Sequence, residues 1–197
     1  IRRPPRSTQG VSSAASDVYK RQTLINMISV IAIILGFASY AFVILSVFRL
    51  LRVNYFNPIV KIFATYLEPV SKSLFFFLPP LFAAITVALV LKFSSFYLAY
   101  SSGYETLTLF YISVIDVLNS GFRILFYCVI GSVVLSWVAP GNNHPLLQII
   151  EEISAGILSP VRKFLPPMGG LDFTPIIGLL VLNLINSSLV QIISSLV

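Results

Sequence analysis

Four stretches of this chain contain no Asp, Glu, Lys or Arg: residues 23–48, 73–91, 124–150 and 173–197. A bilayer's hydrocarbon core, about 30 Å thick, is crossed by about 20 apolar helical residues, and each stretch is near or above that length. A soluble core hides one such run, not four. Inside hydrocarbon every backbone N–H and C=O must bond within its own segment. The expected fold class is therefore all-α integral membrane, with four transmembrane helices. The surface chemistry agrees: the chain is 57% hydrophobic and 10% charged, whereas soluble domains carry about a quarter charged residues.

Between the apolar runs the chain repeats itself. Asn57-Pro58, Glu68-Pro69 and Leu78-Pro79-Pro80 lie between the first pair; His144-Pro145, Ser159-Pro160 and Leu165-Pro166-Pro167 lie between the second. The second string continues through Gly169, Gly170, Asp172, Thr174 and Pro175. This pattern predicts two tandem two-span repeats, residues 23–105 and 106–197, each with an amphipathic, proline-punctuated connector. In the first connector Ile59, Phe63, Tyr66 and Val70 recur at helical spacing, with Ile62 and Leu67 beside them. Lys61, Thr65, Glu68 and Lys72 fall on the opposite face. Such a helix suits the headgroup plane. Asn57 is expected to cap it, with Pro58 at its first position, and Pro69 to end or kink it. In the second, Leu146, Ile149, Ile150, Ile153 and Ile157 form the apolar stripe.

Residues 1–22 do not match the rest. They are polar and basic, lack apolar periodicity, and resemble the read-through translation of a sequencing adapter. They are set aside as a non-native, disordered segment. With five basic residues against Asp17 they carry +4 of the formal +6, leaving +2. The basic balance is thus no sign of nucleic-acid binding, and no nucleic-acid partner is expected.

The spans are expected at about residues 24–48, from Pro79-Pro80 to Leu91 or Tyr100, at 118–138, and from Thr174 onward. Residues 105–120, with Asp116, read as an interfacial lead-in. Lys92 either snorkels toward the interface or is a buried functional lysine. Arg49, Arg52, Lys61, Lys72, Arg162 and Lys163 flank the connectors, against Lys92 and Arg123 in the middle hairpin. The positive-inside rule then puts both connectors in the cytoplasm and both termini outside.

Candidate chemistry is sparse. One Cys128 and one His144 offer neither a disulfide framework nor a zinc pattern, so no catalytic residue, metal or cofactor is expected. Arg162, Lys163, Lys61 and Lys72 are the candidates for touching anionic lipid or a partner, or for setting topology alone. Asp172 is expected beside a Thr174 cap, with Pro175 opening the last helix. His144 precedes Pro145 as Asn57 precedes Pro58, so a capping or surface role is expected rather than metal ligation. Asn183, Asn186, Ser187, Gln191 and Ser194 in the last span either pack against other helices or line an ion path.

Ser136-Trp137-Val138, His144-Pro145 and the string from Ser159-Pro160-Val161-Arg162-Lys163 through Pro166-Pro167-Met168-Gly169-Gly170-Leu171-Asp172-Phe173-Thr174-Pro175 resemble the YggT family of small multi-pass membrane proteins. The resemblance extends over about residues 23–197. Ser159 stands where the family usually has an acidic residue. The resemblance implies a bacterial inner-membrane protein without a defined reaction, tied to osmotic-shock tolerance and potassium uptake. Relatives elsewhere are tied to cell division, nucleoid distribution or cytochrome assembly. The expected function is an envelope accessory or scaffold protein supporting osmotic-stress tolerance. Its expected partners are the lipid bilayer and a membrane protein or second copy of the chain. The rival is a transport component for potassium or another ion.

Overall fold

A computed structural model describes residues 9–138, 141, 143–164 and 172–196, with side chains from Val18 onward. Among the described residues the chain forms six helices: α1 (Gln9–Leu50), α2 (Pro58–Leu74), α3 (Pro80–Tyr100), α4 (Thr106–Val138), α5 (Pro145–Phe164) and α6 (Thr174–Leu196). Four are long and apolar enough to cross a membrane: Val18–Leu50 within α1, and all of α3, α4 and α6. Helices α2 and α5 link the members of each pair.

Serine side chains set the register of α1 against α3. Ser39 Oγ donates to the Ala88 carbonyl at 2.7 Å, and Ser95 Oγ donates to the Ala32 carbonyl at 2.7 Å. These two bonds order the helices antiparallel. The backbones come close enough because Ala32, Ala83, Ala84 and Ala88 are buried there, and a Cβ on Gly36 would sit 3.4 Å from Ser95 Oγ. Small residues matter more in lipid than in water, where burial of apolar area would itself drive association. Around this pair Phe42, Val43, Leu45, Val87 and Val117 form one core. A second core, Val129, Leu158 and Leu182, joins α4, α5 and α6.

Several expectations need correction. Helix α1 begins at Gln9, so residues 9–22 are helical rather than disordered; elongating an existing helix adds a bond per residue fixed, without a new nucleus. Helix α4 begins at Thr106, absorbing the supposed lead-in. A lone carboxylate argued for starting that span after Asp116, but Lys92 neutralises it. The Lys92 ammonium lies 2.7 Å from Asp116 Oδ2 and over the rings of Tyr40 and Phe96, 5.3 and 4.8 Å from their centroids. It pairs across the α3–α4 contact instead of snorkelling.

Pro69 neither ends α2 nor stops its hydrogen-bonded run, and Pro160 lies within α5. Each proline deprives the carbonyl four residues back of its donor. Those carbonyls belong to Thr65 and Gly156, both exposed, where an outside donor can serve them.

The inward face of α2 also differs. Val60, Ala64, Glu68 and Ser71 are buried, while Ile62, Tyr66 and Val70 are exposed, Tyr66 by 72%. A helix with bundle on one side and lipid on the other has two apolar surroundings. The slim side chains go where backbones meet, and the bulky ones face out.

Candidate functional site: the paired linking helices

Helices α2 and α5 meet at one end of the bundle, and Asn57 joins them. Its backbone is extended (φ −63°, ψ 126°), as a cap position requires. Its Oδ1 accepts the Ile59 N–H at 3.0 Å, while its Nδ2 donates to the Pro145 carbonyl at 2.8 Å. One amide thus starts α2 and holds the first residue of α5. It is only 4% exposed, so both bonds are shielded from water. A second link runs from the Asn54 N–H to Glu152 Oε2, 2.7 Å. Beneath them Val47, Phe48, Val53, Val60, Ile149 and Ile153 form a shared core, with the Phe48 and Phe63 rings edge to face at 5.6 Å. His144 caps α5, its Nδ1 accepting the Leu146 N–H at 3.3 Å.

The charges here are organised by Glu68. Its carboxylate pairs with Arg49, in the last turn of α1, and lies 3.4 Å from the Lys72 ammonium. Its side chain is 12% exposed, and a carboxylate so withdrawn needs such partners. Placing Glu68 on the solvated face was therefore wrong. Three residues after Arg49 the chain makes an unusual turn. Val53 N–H bonds back to the Phe48 carbonyl at 3.0 Å, the six-to-one closure that ends many helices. The residue in the left-handed position is Arg52, φ +55°, where glycine or asparagine is the common occupant.

The four basic candidates divide. Lys72 is held by Glu68. Arg162 is held by Asp172, with its Nε 3.3 Å and a terminal nitrogen 3.2 Å from Oδ2. Lys61 and Lys163 are exposed. Thr174 does not cap α6 as expected: it is the helix's first residue, and its N–H, at 2.9 Å, and its hydroxyl, at 2.5 Å, both donate to Asp172 Oδ1. These bonds, more than the nearby Arg162, hold the Asp172 carboxyl below the usual carboxylate range. Pro58 and Pro175 occupy the first turns of α2 and α6. Pro166, Pro167, Gly169 and Gly170 lie outside the described residues.

Sequence reasoning missed the roles of Glu68, Asn54, Glu152 and Asp116. Only Glu68 left a readable trace: with Val60, Ala64 and Ser71 it falls on one helical face. Among the described residues no three His, Cys, Asp or Glu side chains converge as a metal would require.

This arrangement has counterparts in known proteins. The family model CCB3/YggT matches residues 111–193, which hold most of α4, all of α5 and most of α6. Uncharacterized protein PA0392 of Pseudomonas aeruginosa is 31% identical over 149 residues, 71% of this chain and 76% of the relative. The chain belongs to the CCB3/YggT family. An uncharacterized Haemophilus influenzae protein is 30% identical over 147 residues, 74% of this chain and 81% of the relative. Uncharacterized protein YggT of Escherichia coli K12 is 31% identical over 72 residues, 36% of this chain and 38% of the relative. No solved structure matches. Family membership and four apolar helices make it a membrane protein; the junction just described is what this CCB3/YggT-family chain offers at one end of its bundle.

Proposed function

We propose that this protein is a non-enzymatic membrane scaffold, built from two duplicated two-span units, that supports tolerance of osmotic shock in a bacterial inner membrane. The observation that carries the reading is the Asn57 clasp. It locks two helices that lie outside the spans into one rigid surface instead of leaving two independent loops. That surface presents Tyr66, Ile62 and Val70 beside Lys61, an amphipathic combination suited to headgroups or to the flank of another membrane protein. By the positive-inside rule it faces the cytoplasm. Cysteines introduced singly at Lys61 and Lys163 should then both resist an impermeant thiol reagent added outside intact cells; labelling of one alone would overturn the arrangement.

The decisive test is survival of a strain lacking the protein, complemented with the wild type or with Lys61→Glu/Lys163→Glu. The charge-reversed protein should insert to the same level yet rescue hypo-osmotic survival poorly. Full rescue would refute a working role for this face. The Lys92–Asp116 pair favours a second reading, ion transport, because ionisable residues at membrane depth often mark ion paths. Potassium flux through proteoliposomes of the pure protein, abolished by Asp116→Asn, would replace the scaffold reading.

A further inference from the structure

Between the end of α1 and the start of α2 lies a cavity of about 210 Å³. Its floor is apolar, from Phe48, Val53 and Val60, and its polar wall is Arg49, Arg52 and Tyr55. The Arg49 guanidinium stands 5.9 Å from the Tyr55 ring centroid. The cavity sits where the apolar segment Val18–Leu50 ends and the chain turns into α2, and basic residues at the end of a span are placed to meet lipid headgroups. We propose that it is a binding site for an anionic phospholipid, with the headgroup phosphate held by Arg52, beside the Glu68-paired Arg49, and the glycerol backbone on the apolar floor. This site is independent of the scaffold reading and stands whether or not a protein partner docks nearby.

Three observations converge. The volume admits a phosphate with part of its glycerol, whereas a flat basic patch would hold no single headgroup. The nearby carboxylates are already committed, Glu68 to Arg49 and Lys72, and Glu152 to the Asn54 N–H. Arg52 is exposed, so its fork of donors is open to a phosphate, for which guanidinium geometry is well matched.

The third observation is the backbone. A helix end that needs a left-handed residue is served best by glycine, and a bulky side chain there is strained. Strain of this kind clusters at binding sites, where the surroundings hold it in place. Here Val53 and Phe48, packed in one core and hydrogen-bonded to each other, force the conformation. The arginine, disfavoured by the turn, is the residue that lines the cavity.

That conflict makes the test sharp. Arg52→Gly suits the turn and removes the phosphate ligand, so fold and binding should move in opposite directions. The full chain, purified in detergent, is titrated with phosphatidylglycerol and with phosphatidylcholine of identical acyl chains, and bound lipid is counted by native mass spectrometry. The wild type should prefer phosphatidylglycerol. Arg52→Gly should lose about fivefold in its affinity, the worth of one basic residue near an anionic surface, with an unchanged or higher melting temperature. Arg123→Gln removes an exposed charge from α4, outside the cavity, and should change affinity less than twofold. Arg52→Asn, also tolerated in the left-handed region, repeats the measurement should the glycine variant not fold. Equal retention of the two lipids, equal loss in the Arg52 and Arg123 variants, or no loss in either Arg52 variant would overturn the site. Displacement of phosphatidylglycerol by millimolar inorganic phosphate would also overturn it, by showing that the cavity takes the free anion.

Discussion

Lys92 and Asp116 should behave as one unit, and the structure sets the size of the effect. At about 1.5 Å per helical residue, Lys92 lies about 18 Å along α3 from Pro80, and Asp116 about 15 Å along α4 from Thr106. Both positions lie inside helices apolar enough to cross a membrane. The side chains are 12% and 25% exposed, so neither ion is well solvated. Removing one partner of a buried pair costs about 3–5 kcal/mol, because the survivor is stranded. Asp116 keeps a quarter of its side chain exposed and so is only partly stranded, and Lys92→Met should cost about 2–3 kcal/mol. Asp116→Leu should cost at least as much, since it strands a cation; the Tyr40 and Phe96 rings return about 0.5–2 kcal/mol of that. The double variant replaces two ions by apolar groups of similar bulk and should fall within about 1 kcal/mol of wild type. Steric trapping or reversible unfolding in mixed micelles measures all four proteins. With each single loss at about 2–3 kcal/mol or more and the double loss within about 1 kcal/mol, the coupling energy should be at least about 3 kcal/mol. Additive losses in the double variant would refute the pairing and leave Lys92 as a snorkelling residue.

Three further outcomes follow from individual contacts. Asn57→Ala removes a cap worth about 1 kcal/mol and a buried hydrogen bond worth about 1 kcal/mol; Asn57→Ser, which can still cap but is too short to reach the Pro145 carbonyl, should lose only the second, and equal losses in denaturant titrations would contradict the two-bond geometry. Gly178→Ala would place a Cβ 2.6 Å from Leu158 Cδ2, in a core where Leu158 is 2% exposed. It should destabilise by about 1–2 kcal/mol, whereas Gly156→Ala, whose nearest neighbour is Leu51 at 3.4 Å, should be close to neutral. The Asp172 cap titrates with a depressed folded-state pKa, so its contribution is present above the ordinary carboxylate value of about 3.9 and is lost as pH falls through the lower folded value. The Thr174 amide resonance, followed by NMR down to pH 2, should therefore shift with a midpoint below about 3.9; a midpoint at or above it would contradict the capping bonds.

Much of this molecule could be read along the chain because its information is local. Uninterrupted apolar runs meet the bilayer's length requirement one segment at a time. Pro58, Pro80 and Pro175 mark helix starts through their own fixed φ and missing donor. The YggT-like motifs around Pro160 and Asp172 identify the family without any geometry. Asn57 announced itself as a cap, since an Asn-Pro pair before an apolar-periodic segment needs nothing beyond its neighbours.

Pairing across helices was decided elsewhere. Asp116 looked like the edge of a span until Lys92, on another helix, was found beside it. Glu68 looked solvated because its neighbours in sequence are Lys61, Thr65 and Lys72, yet the slim face formed by Val60 and Ala64 turns it toward Arg49. The second bond of Asn57, to Pro145, and the strained turn at Arg52 depend on how α1, α2 and α5 pack together. Charge compensation and close packing are properties of residues far apart in the chain, and their energies are of the same size as the local preferences they override. A one-dimensional pattern names the helices; only their mutual approach tells a buried ion pair from a topology signal.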